Sequence, residues 1–190
     1  NFCTANVLFK SRYRMYPIER IELDLKNILL KFNLKRSLIY FVDEDIGLEP
    51  NFKIELFKRL EKYNIPWIAL AGVGIGRNNK LLKIMAKSGC KMIYMGFETL
   101  DNDNLVSLNK SEINKVEEYK EIVTNVRSYN IGVCGLFIFG LDKDKKGVAR
   151  RTFKFVKEVK MDMAVVSVLT PVFNSSIYHL LEKNNRIISK

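Results

Sequence analysis

The sequence has few cysteines and no long apolar run. Its three cysteines, Cys3, Cys90 and Cys134, are odd in number and widely spaced, and the printed sequence contains no signal-peptide pattern. A disulfide framework is therefore not expected, and a reducing cytoplasm is the expected location. The longest apolar run, residues 131–141, is shorter than the roughly 18 to 20 residues that cross a bilayer, and it is predicted to be a buried strand.

Acidic residues are in short supply. The 190 residues include 32 lysines and arginines against 21 aspartates and glutamates, which gives a net charge of +11. A basic surface is compatible with nucleic acid, anionic cofactors or acidic partners. The basic residues are scattered over every predicted helix, a pattern typical of solvated faces. The hydrophobic content of 47% excludes a disordered chain or a collagen-like fibre, and the length suffices for one domain with one core.

Short apolar runs alternate with helical patterns along the chain. The runs show no polar–apolar alternation, which predicts strands buried on both faces, as in a parallel sheet flanked by helices. One helix followed by strand–helix units about 30 residues apart fits right-handed crossovers. Strands are predicted over residues 38–42, 67–71, 92–95, 133–139 and 164–169, and helices over roughly 18–32, 51–63, 78–88, 114–129, 145–160 and 175–183.

This order allows two architectures, an open doubly wound sheet or a full or partial β/α barrel. Both place ligands at the carboxyl ends of the strands, so functional residues are expected just after each apolar run. The chain begins at Asn1 rather than at methionine, and its first helix has no strand before it. We therefore expect a piece of a longer protein whose first strand lies upstream.

Carboxylates follow the first and third predicted strands. The first strand leads into Asp43, Glu44 and Asp45. A carboxylate cluster is costly unless something positive pairs with it, so these residues either cap an acidic turn or hold an ammonium group or a metal ion. Glu98 stands alone among apolar residues. This isolation predicts an inward-facing side chain, satisfied either by backbone N–H groups or by a ligand's hydroxyl or ammonium groups.

Glycines follow the second predicted strand and interrupt the fourth. Gly72, Gly74 and Gly76 have the spacing of a phosphate-binding loop, but no Lys-Ser/Thr pair follows them, so the signal is weak. Glycine at these positions also fits close approach of the backbone to a ligand or a helix. Gly135 and Gly140 indicate a bulge or a ligand packed against the fourth strand.

The strand-end motifs, taken in order, resemble those of the radical S-adenosylmethionine enzymes. Within that superfamily they resemble the branch that often carries a cobalamin-binding domain upstream. The resemblance extends from Cys3 to about Ile188. The motifs that carry it are Asn1-Phe2-Cys3, Arg12-Tyr13-Arg14, Asp43-Glu44-Asp45, Gly96-Phe97-Glu98-Thr99, Ile138-Phe139-Gly140 and Leu169-Thr170-Pro171.

The resemblance implies an α/β fold, a partial (β/α)6 TIM-like barrel that lacks its first strand in this chain. Residues 1–190 would be the N-terminally truncated core domain, with a cobalamin-binding domain further upstream. Three departures affect the strand ends. Glu44 stands where relatives commonly have the second aspartate of an Asp-Asp pair. Leu136 takes the first glycine position of the family's G-x-I-x-G pattern, and the chain after Pro171 departs from the family's proline- and glycine-rich continuation.

The resemblance also implies the cofactors, a [4Fe–4S] cluster and S-adenosylmethionine, with cobalamin through the missing upstream domain. The family signature C-x3-C-x-aromatic-C would end at Cys3, which makes Cys3 the third cluster ligand and Phe2 the aromatic residue beside the adenine. The other two cysteines would lie just before Asn1. Asp43, Glu44 and Asp45 would contact the ammonium of S-adenosylmethionine, and Glu98 would contact its ribose or methionine end. Ile138, Phe139 and Gly140 would border its adenine.

The implied activity is reductive cleavage of S-adenosylmethionine, followed by radical chemistry on a small-molecule or lipid-like substrate and, through cobalamin, methyl transfer. The electron would come from a donor such as flavodoxin or ferredoxin. With one of three cluster cysteines, this polypeptide alone is expected to be inactive. Two alternatives stay open: a non-redox β/α-barrel enzyme for a phosphorylated ligand, and a basic nucleic-acid-binding module that includes the aromatic-basic segment 12–16.

Overall fold

The computed structural model describes residues 15–32, 37–43, 45–46 and 50–188. Helices and strands alternate along these residues. Helices α1 to α7 span Ile18–Lys31, Pro50–Glu61, Asn79–Lys87, Asn102–Ser107, Tyr119–Ser128, Val148–Glu158 and Ser176–Lys183. Strands β1 to β5 span Ile39–Phe41, Trp67–Ala71, Cys90–Glu98, Gly132–Phe139 and Met163–Val168, and 3-10 turns at Val73–Arg77 and Val116–Glu118 precede α3 and α5.

The five strands form one parallel sheet in the order β1-β2-β3-β4-β5. Every strand pairs with the next one along the chain. A doubly wound sheet contains a point at which the strand order reverses, whereas a β/α barrel keeps the sequential order. The topology therefore selects the barrel-type architecture and confirms the predicted fold class.

Three segments differ from the sequence prediction. Strand β3 is longer than predicted because its ladder with β2 and β4 extends on both sides of the apolar run. The short helix α4 was not predicted, since its few residues show no helical period. Its start is fixed by Asp101, whose carboxylate accepts from the N–H groups of Asp103 and Asn104. The helix predicted from residue 114 begins instead at Tyr119, after a 3-10 turn.

The helices cover the outer face of the sheet along β2, β3 and β4. Trp67 of β2 stacks on Phe57 of α2 with ring centroids 5.1 Å apart, and Phe97 of β3 meets Tyr119 of α5 edge-on at 4.8 Å. All four side chains are buried. Aromatic pairs of this kind add to the free energy gained from burial itself. The hydrophobic core therefore lies between the helices and this outer face.

The opposite, inner face of the sheet is apolar and partly exposed. Side chains alternate between the two faces of a strand, so the strand register identifies its members. They include Tyr40, Ile68, Leu70, Met92, Tyr94, Gly96, Leu136, Ile138, Val165 and Ser167. In a β/α barrel this face lines the interior. No helix among the described residues is long and apolar enough to span a bilayer.

Candidate functional site

Strand β3 ends in a strained turn that carries Glu98. The ladder with β4 is irregular between Gly96 and Glu98, which is a β-bulge. The N–H of Thr99 then donates to the carbonyl oxygen of Phe97 at 2.8 Å, and Glu98 has a φ of +64°. Bulges re-aim side chains beside active sites, and this three-residue turn is a rare, strained conformation. Strain of this kind persists where the surrounding structure fixes it, often at functional sites.

Two buried side chains hold this strand end in place. Asn114 donates from Nδ2 to the carbonyl oxygen of Gly96 at 2.8 Å, and the hydroxyl of Tyr119 donates to that of Phe97 at 2.7 Å. Asn114 also donates to the Tyr119 oxygen at 3.1 Å. Burial raises the pKa of the Tyr119 hydroxyl, so it remains a donor. Because water does not compete at this depth, the network fixes the turn firmly.

The Glu98 carboxylate folds back over Gly96. A Cβ atom added at Gly96 would lie 2.5 Å from Oε1 of Glu98, closer than real contacts allow. Gly96 belongs to the inner face, so the carboxylate also lies on that face, as its isolation in the sequence predicted. Only glycine leaves room for it. The Gly-Phe-Glu sequence thus acts as one unit in which the glycine accommodates the glutamate.

Burial and a nearby cation act on Glu98 in opposite directions. The residue is 8% exposed, and Nζ of Lys110 lies 3.6 Å from Oε1. Burial raises the pKa of the Glu98 carboxyl above its ordinary value, and the Lys110 ammonium partly offsets that rise. The partner that the structure gives Glu98 is therefore a lysine, which the sequence analysis did not single out.

The acidic segment after β1 approaches the end of β2. The N–H of Gly72 donates to Oδ2 of Asp45 at 3.2 Å, and the N–H of Ile46 donates to the carbonyl oxygen of Leu70 at 3.0 Å. Asp43 is exposed, and Glu44 lies outside the described residues. Of the two described members of the predicted acidic cluster, Asp45 is the one that the structure attaches to the strand ends.

One glycine of the loop after β2, Gly76, serves helix packing. A Cβ atom added at Gly76 would lie 2.6 Å from Cγ2 of Ile122 on α5. Glycine is therefore needed here because the backbone passes directly against a helix. This is one of the two explanations that the sequence allowed, and it makes no use of a phosphate.

The end of β4 is held by residues that the sequence analysis missed. Gly140 has a φ of +87°, and its N–H donates to Oδ2 of Asp144 at 2.8 Å. Oδ1 of Asp144 accepts from Nδ2 of Asn104 at 3.0 Å, which ties the loop after β4 to helix α4. Ile138 lies on the inner face, whereas Phe139 lies on the outer face and presents only its backbone inward.

The strand ends offer the groups that S-adenosylmethionine needs. Glu98 and Asp45 supply carboxylates for an ammonium or for ribose hydroxyls, and Ile138 supplies an apolar surface for a flat base. Carboxylates are acceptors when ionised, which suits these cationic and hydroxyl donors. The described side chains therefore fit the cofactor that the resemblance implies.

Cluster ligands are not found among the described residues. Cys90 and Cys134 are buried in the amino-terminal halves of their strands, and burial raises the pKa of Cys90 to about 12. Thiolates, not thiols, ligate metals, so this environment does not fit a cluster. Across the described ranges no three His, Cys, Asp or Glu side chains are placed to hold a metal ion. Phe2 and Cys3 lie outside those ranges.

Comparison with known proteins gives the family. The family model of the Radical SAM superfamily matches residues 1–156. The chain belongs to this superfamily. The cofactors of the superfamily are a [4Fe–4S] cluster and S-adenosylmethionine. The predicted family and enzyme class are thereby confirmed, and neither the phosphate-binding nor the nucleic-acid-binding alternative is supported.

Among curated relatives, bacteriochlorophyllide d C-12(1)-methyltransferase of Chlorobaculum tepidum is 27% identical over 90% of this chain. Hopanoid C-3 methylase of Methylococcus capsulatus is 25% identical over 94% of the chain. These matches cover 37% and 33% of the two relatives, so the chain spans about a third of their length.

Solved structures share the fold. The radical S-adenosylmethionine methyltransferase TsrM from Kitasatospora setae, determined with cobalamin and a [4Fe–4S] cluster bound, superposes with a TM-score of 0.69 at 11% identity. The match covers 83% of this chain and 32% of TsrM. Methylornithine synthase (PylB) gives a TM-score of 0.65 at 16% identity over 93% of this chain and 51% of that one.

Proposed function

We propose that this chain is the core of a cobalamin-linked radical S-adenosylmethionine methyltransferase. The observation that carries the proposal is the buried Glu98 carboxylate on the inner face, at the carboxyl end of β3, in a chain of this superfamily. The curated relatives with methyltransferase names support methyl transfer as the outcome. Residues 1–190 form one core domain in this proposal, and the cobalamin-binding domain lies upstream.

The residues of the chain would bind and orient S-adenosylmethionine. Glu98 accepts from the ribose or the methionine end, and the acidic segment 43–45 accepts from the ammonium. The backbone of Ile138, Phe139 and Gly140 borders the adenine. The acceptors are held by backbone and by buried hydrogen bonds, so the cofactor enters a site that needs little rearrangement.

The cluster would be held at Cys3, with Phe2 beside the adenine and two further cysteines upstream of Asn1. When bound, the cluster supplies the one electron that breaks the sulfonium C–S bond of S-adenosylmethionine and so yields a radical able to abstract hydrogen. The apolar inner face favours an apolar or lipid-like organic substrate, because burial of apolar surface drives such binding. A cytoplasmic flavodoxin or ferredoxin would deliver the electron.

The test uses the protein extended upstream to include the two further cysteines, reconstituted with iron and sulfide without oxygen. We expect about four irons per chain and formation of 5′-deoxyadenosine with dithionite as reductant. Cys3→Ala should lose the cluster, whereas the matched variant Cys134→Ala should keep it, since Cys134 is buried within β4. An extended protein without these cysteines, or a Cys3→Ala variant with a full cluster, would contradict the proposal.

A further inference from the structure

A lysine outside the family motifs lies against the proposed cofactor-binding carboxylate. Lys110 follows helix α4, and its Nζ atom lies 3.6 Å from Oε1 of Glu98. The Glu98 side chain is 10% exposed and that of Lys110 is 38% exposed. The lysine thus reaches from the solvent edge toward a carboxylate that is nearly enclosed. An ion pair with one buried member differs from surface pairs, because loss of the partner leaves a charge without compensation.

The backbone around Lys110 is tied to the strand end that carries Glu98. The N–H of Lys110 donates to the carbonyl oxygen of Leu105 at 2.9 Å, and its own carbonyl oxygen accepts from the N–H of Asn114 at 2.8 Å. The Asn114 side chain in turn donates to the carbonyl oxygen of Gly96. A chain of backbone and buried hydrogen bonds therefore fixes the backbone of Lys110 relative to the strand end that carries Glu98.

Among the residues that the structure describes, Lys110 is the cation that acts on Glu98. Within the described ranges Tyr119 on α5 is a second titratable group at this strand end, and it stays protonated and donates to the carbonyl oxygen of Phe97. Gly96 offers no side chain. Burial alone would favour a protonated Glu98 carboxyl. A protonated carboxyl carries no negative charge and is therefore a poorer acceptor for an ammonium group.

We infer that Lys110 is a positioning residue that keeps the Glu98 carboxylate charged and folded over Gly96, where it can accept from S-adenosylmethionine. The inference rests on the proposed function, in which Glu98 contacts the cofactor. Lys110 acts through Glu98 in this account and does not touch the reacting atoms.

The experiment measures the dissociation constant of radiolabelled S-adenosylmethionine by equilibrium dialysis on the extended, cluster-loaded protein. Wild type is compared with Lys110→Met, Lys110→Arg and the control Lys115→Met from about pH 6.5 to about pH 8.5. Lys115 is exposed and pairs with Glu118, away from Glu98. Dividing the dissociation constant of each variant by that of wild type at the same pH cancels the effect of pH on S-adenosylmethionine itself.

We expect Lys110→Met to bind S-adenosylmethionine several-fold more weakly than wild type at the acid end, where a buried Glu98 carboxyl without its cation is most protonated. The deficit should shrink as the pH rises, because a higher pH restores the charge of Glu98. Lys110→Arg should bind as wild type does, and so should Lys115→Met. If Lys110→Met does not fold, Lys110→Gln provides the same comparison.

Two results would overturn the inference. One is unchanged affinity in Lys110→Met. The other is a deficit that is independent of pH and equally large in Lys110→Arg, which would indicate a purely structural role. A wild-type protein that holds its cluster but does not bind S-adenosylmethionine would instead contradict the proposed function.

Discussion

Strands β3 and β5 both pair with β4, yet their surroundings are opposite. The outer-face residues of β3, including Ile93, Met95 and Phe97, are fully buried beneath helices. All six residues of β5 are exposed, and Val168 reaches 72%. Both strands are apolar in sequence, so hydrophobicity alone does not separate them. The comparison teaches that the candidate site lies where the sheet is covered and the backbone is fixed.

The difference has a functional reason. A carboxylate can be held in a strained turn only if buried contacts and hydrogen bonds around it outweigh the strain. Strand β3 supplies both through Phe97, Asn114 and Tyr119. Within the described residues β5 has no comparable network, and its last residues contribute mainly apolar surface to the inner and outer faces.

The largest expected effect is on stability. Phe97→Ala should lower the free energy of unfolding by about 3 to 5 kcal/mol, because it leaves a cavity between Tyr119 and Phe137. The matched change on the exposed strand, Val168→Ala, should cost less than about 0.5 kcal/mol. Urea denaturation of both variants checks the contrast. Equal losses of unfolding free energy in the two variants would show that β5 is covered in the whole protein, and the contrast between β3 and β5 would then not hold.

A smaller loss of stability is expected when the Tyr119 hydroxyl that holds the end of β3 is removed. Tyr119→Phe removes the donor to the buried carbonyl oxygen of Phe97 and should cost about 1 to 3 kcal/mol. Tyr129→Phe should be close to neutral, since among the described residues its hydroxyl forms no hydrogen bond. Thermal unfolding followed by circular dichroism measures both. A neutral Tyr119→Phe would mean that Asn114 alone is enough to fix the turn.

The smallest effect on stability, but a clear one on binding, is expected at Gly96. In Gly96→Ala the new methyl group occupies the place of the Glu98 carboxylate, which must swing away. The loss of stability should stay under about 1 kcal/mol, because the displaced atom ends a flexible side chain, while S-adenosylmethionine affinity should fall about tenfold. Gly74→Ala is the control, because its nearest neighbour is Arg77 Nη1 at 3.6 Å, an ordinary contact. Equal affinities in the two variants would contradict the packing of Glu98 over Gly96.

Much of the architecture could be predicted from the sequence. Apolar runs about 30 residues apart predict parallel strands, and the strand ends then give the location of functional residues. Glu98 could be found because a lone carboxylate among apolar residues stands out. Phe2, Cys3 and Glu44 fall outside the described residues, so their predicted roles stay predictions.

The supporting residues could not be predicted. Lys110, Asn114 and Tyr119 act on the end of β3 from 12 to 22 positions further along the chain. Lys110 and Asn114 are placed by helix α4 and the turn after it, which have no hydrophobic period to reveal them, and the helical pattern that predicts α5 does not show that Tyr119 contacts Phe97. Long-range packing sets the geometry of the site, whereas the local pattern of apolar runs predicts where along the chain its residues lie.

The most direct test of the account is the affinity of Glu98→Gln for S-adenosylmethionine in the extended, cluster-loaded protein. Glu112→Gln, an exposed position beyond α4, is the matched control. We expect Glu98→Gln to keep its iron content but to bind S-adenosylmethionine at least about tenfold more weakly and to form little 5′-deoxyadenosine. Wild-type affinity in Glu98→Gln would show that the cofactor is held elsewhere and would contradict the central claim.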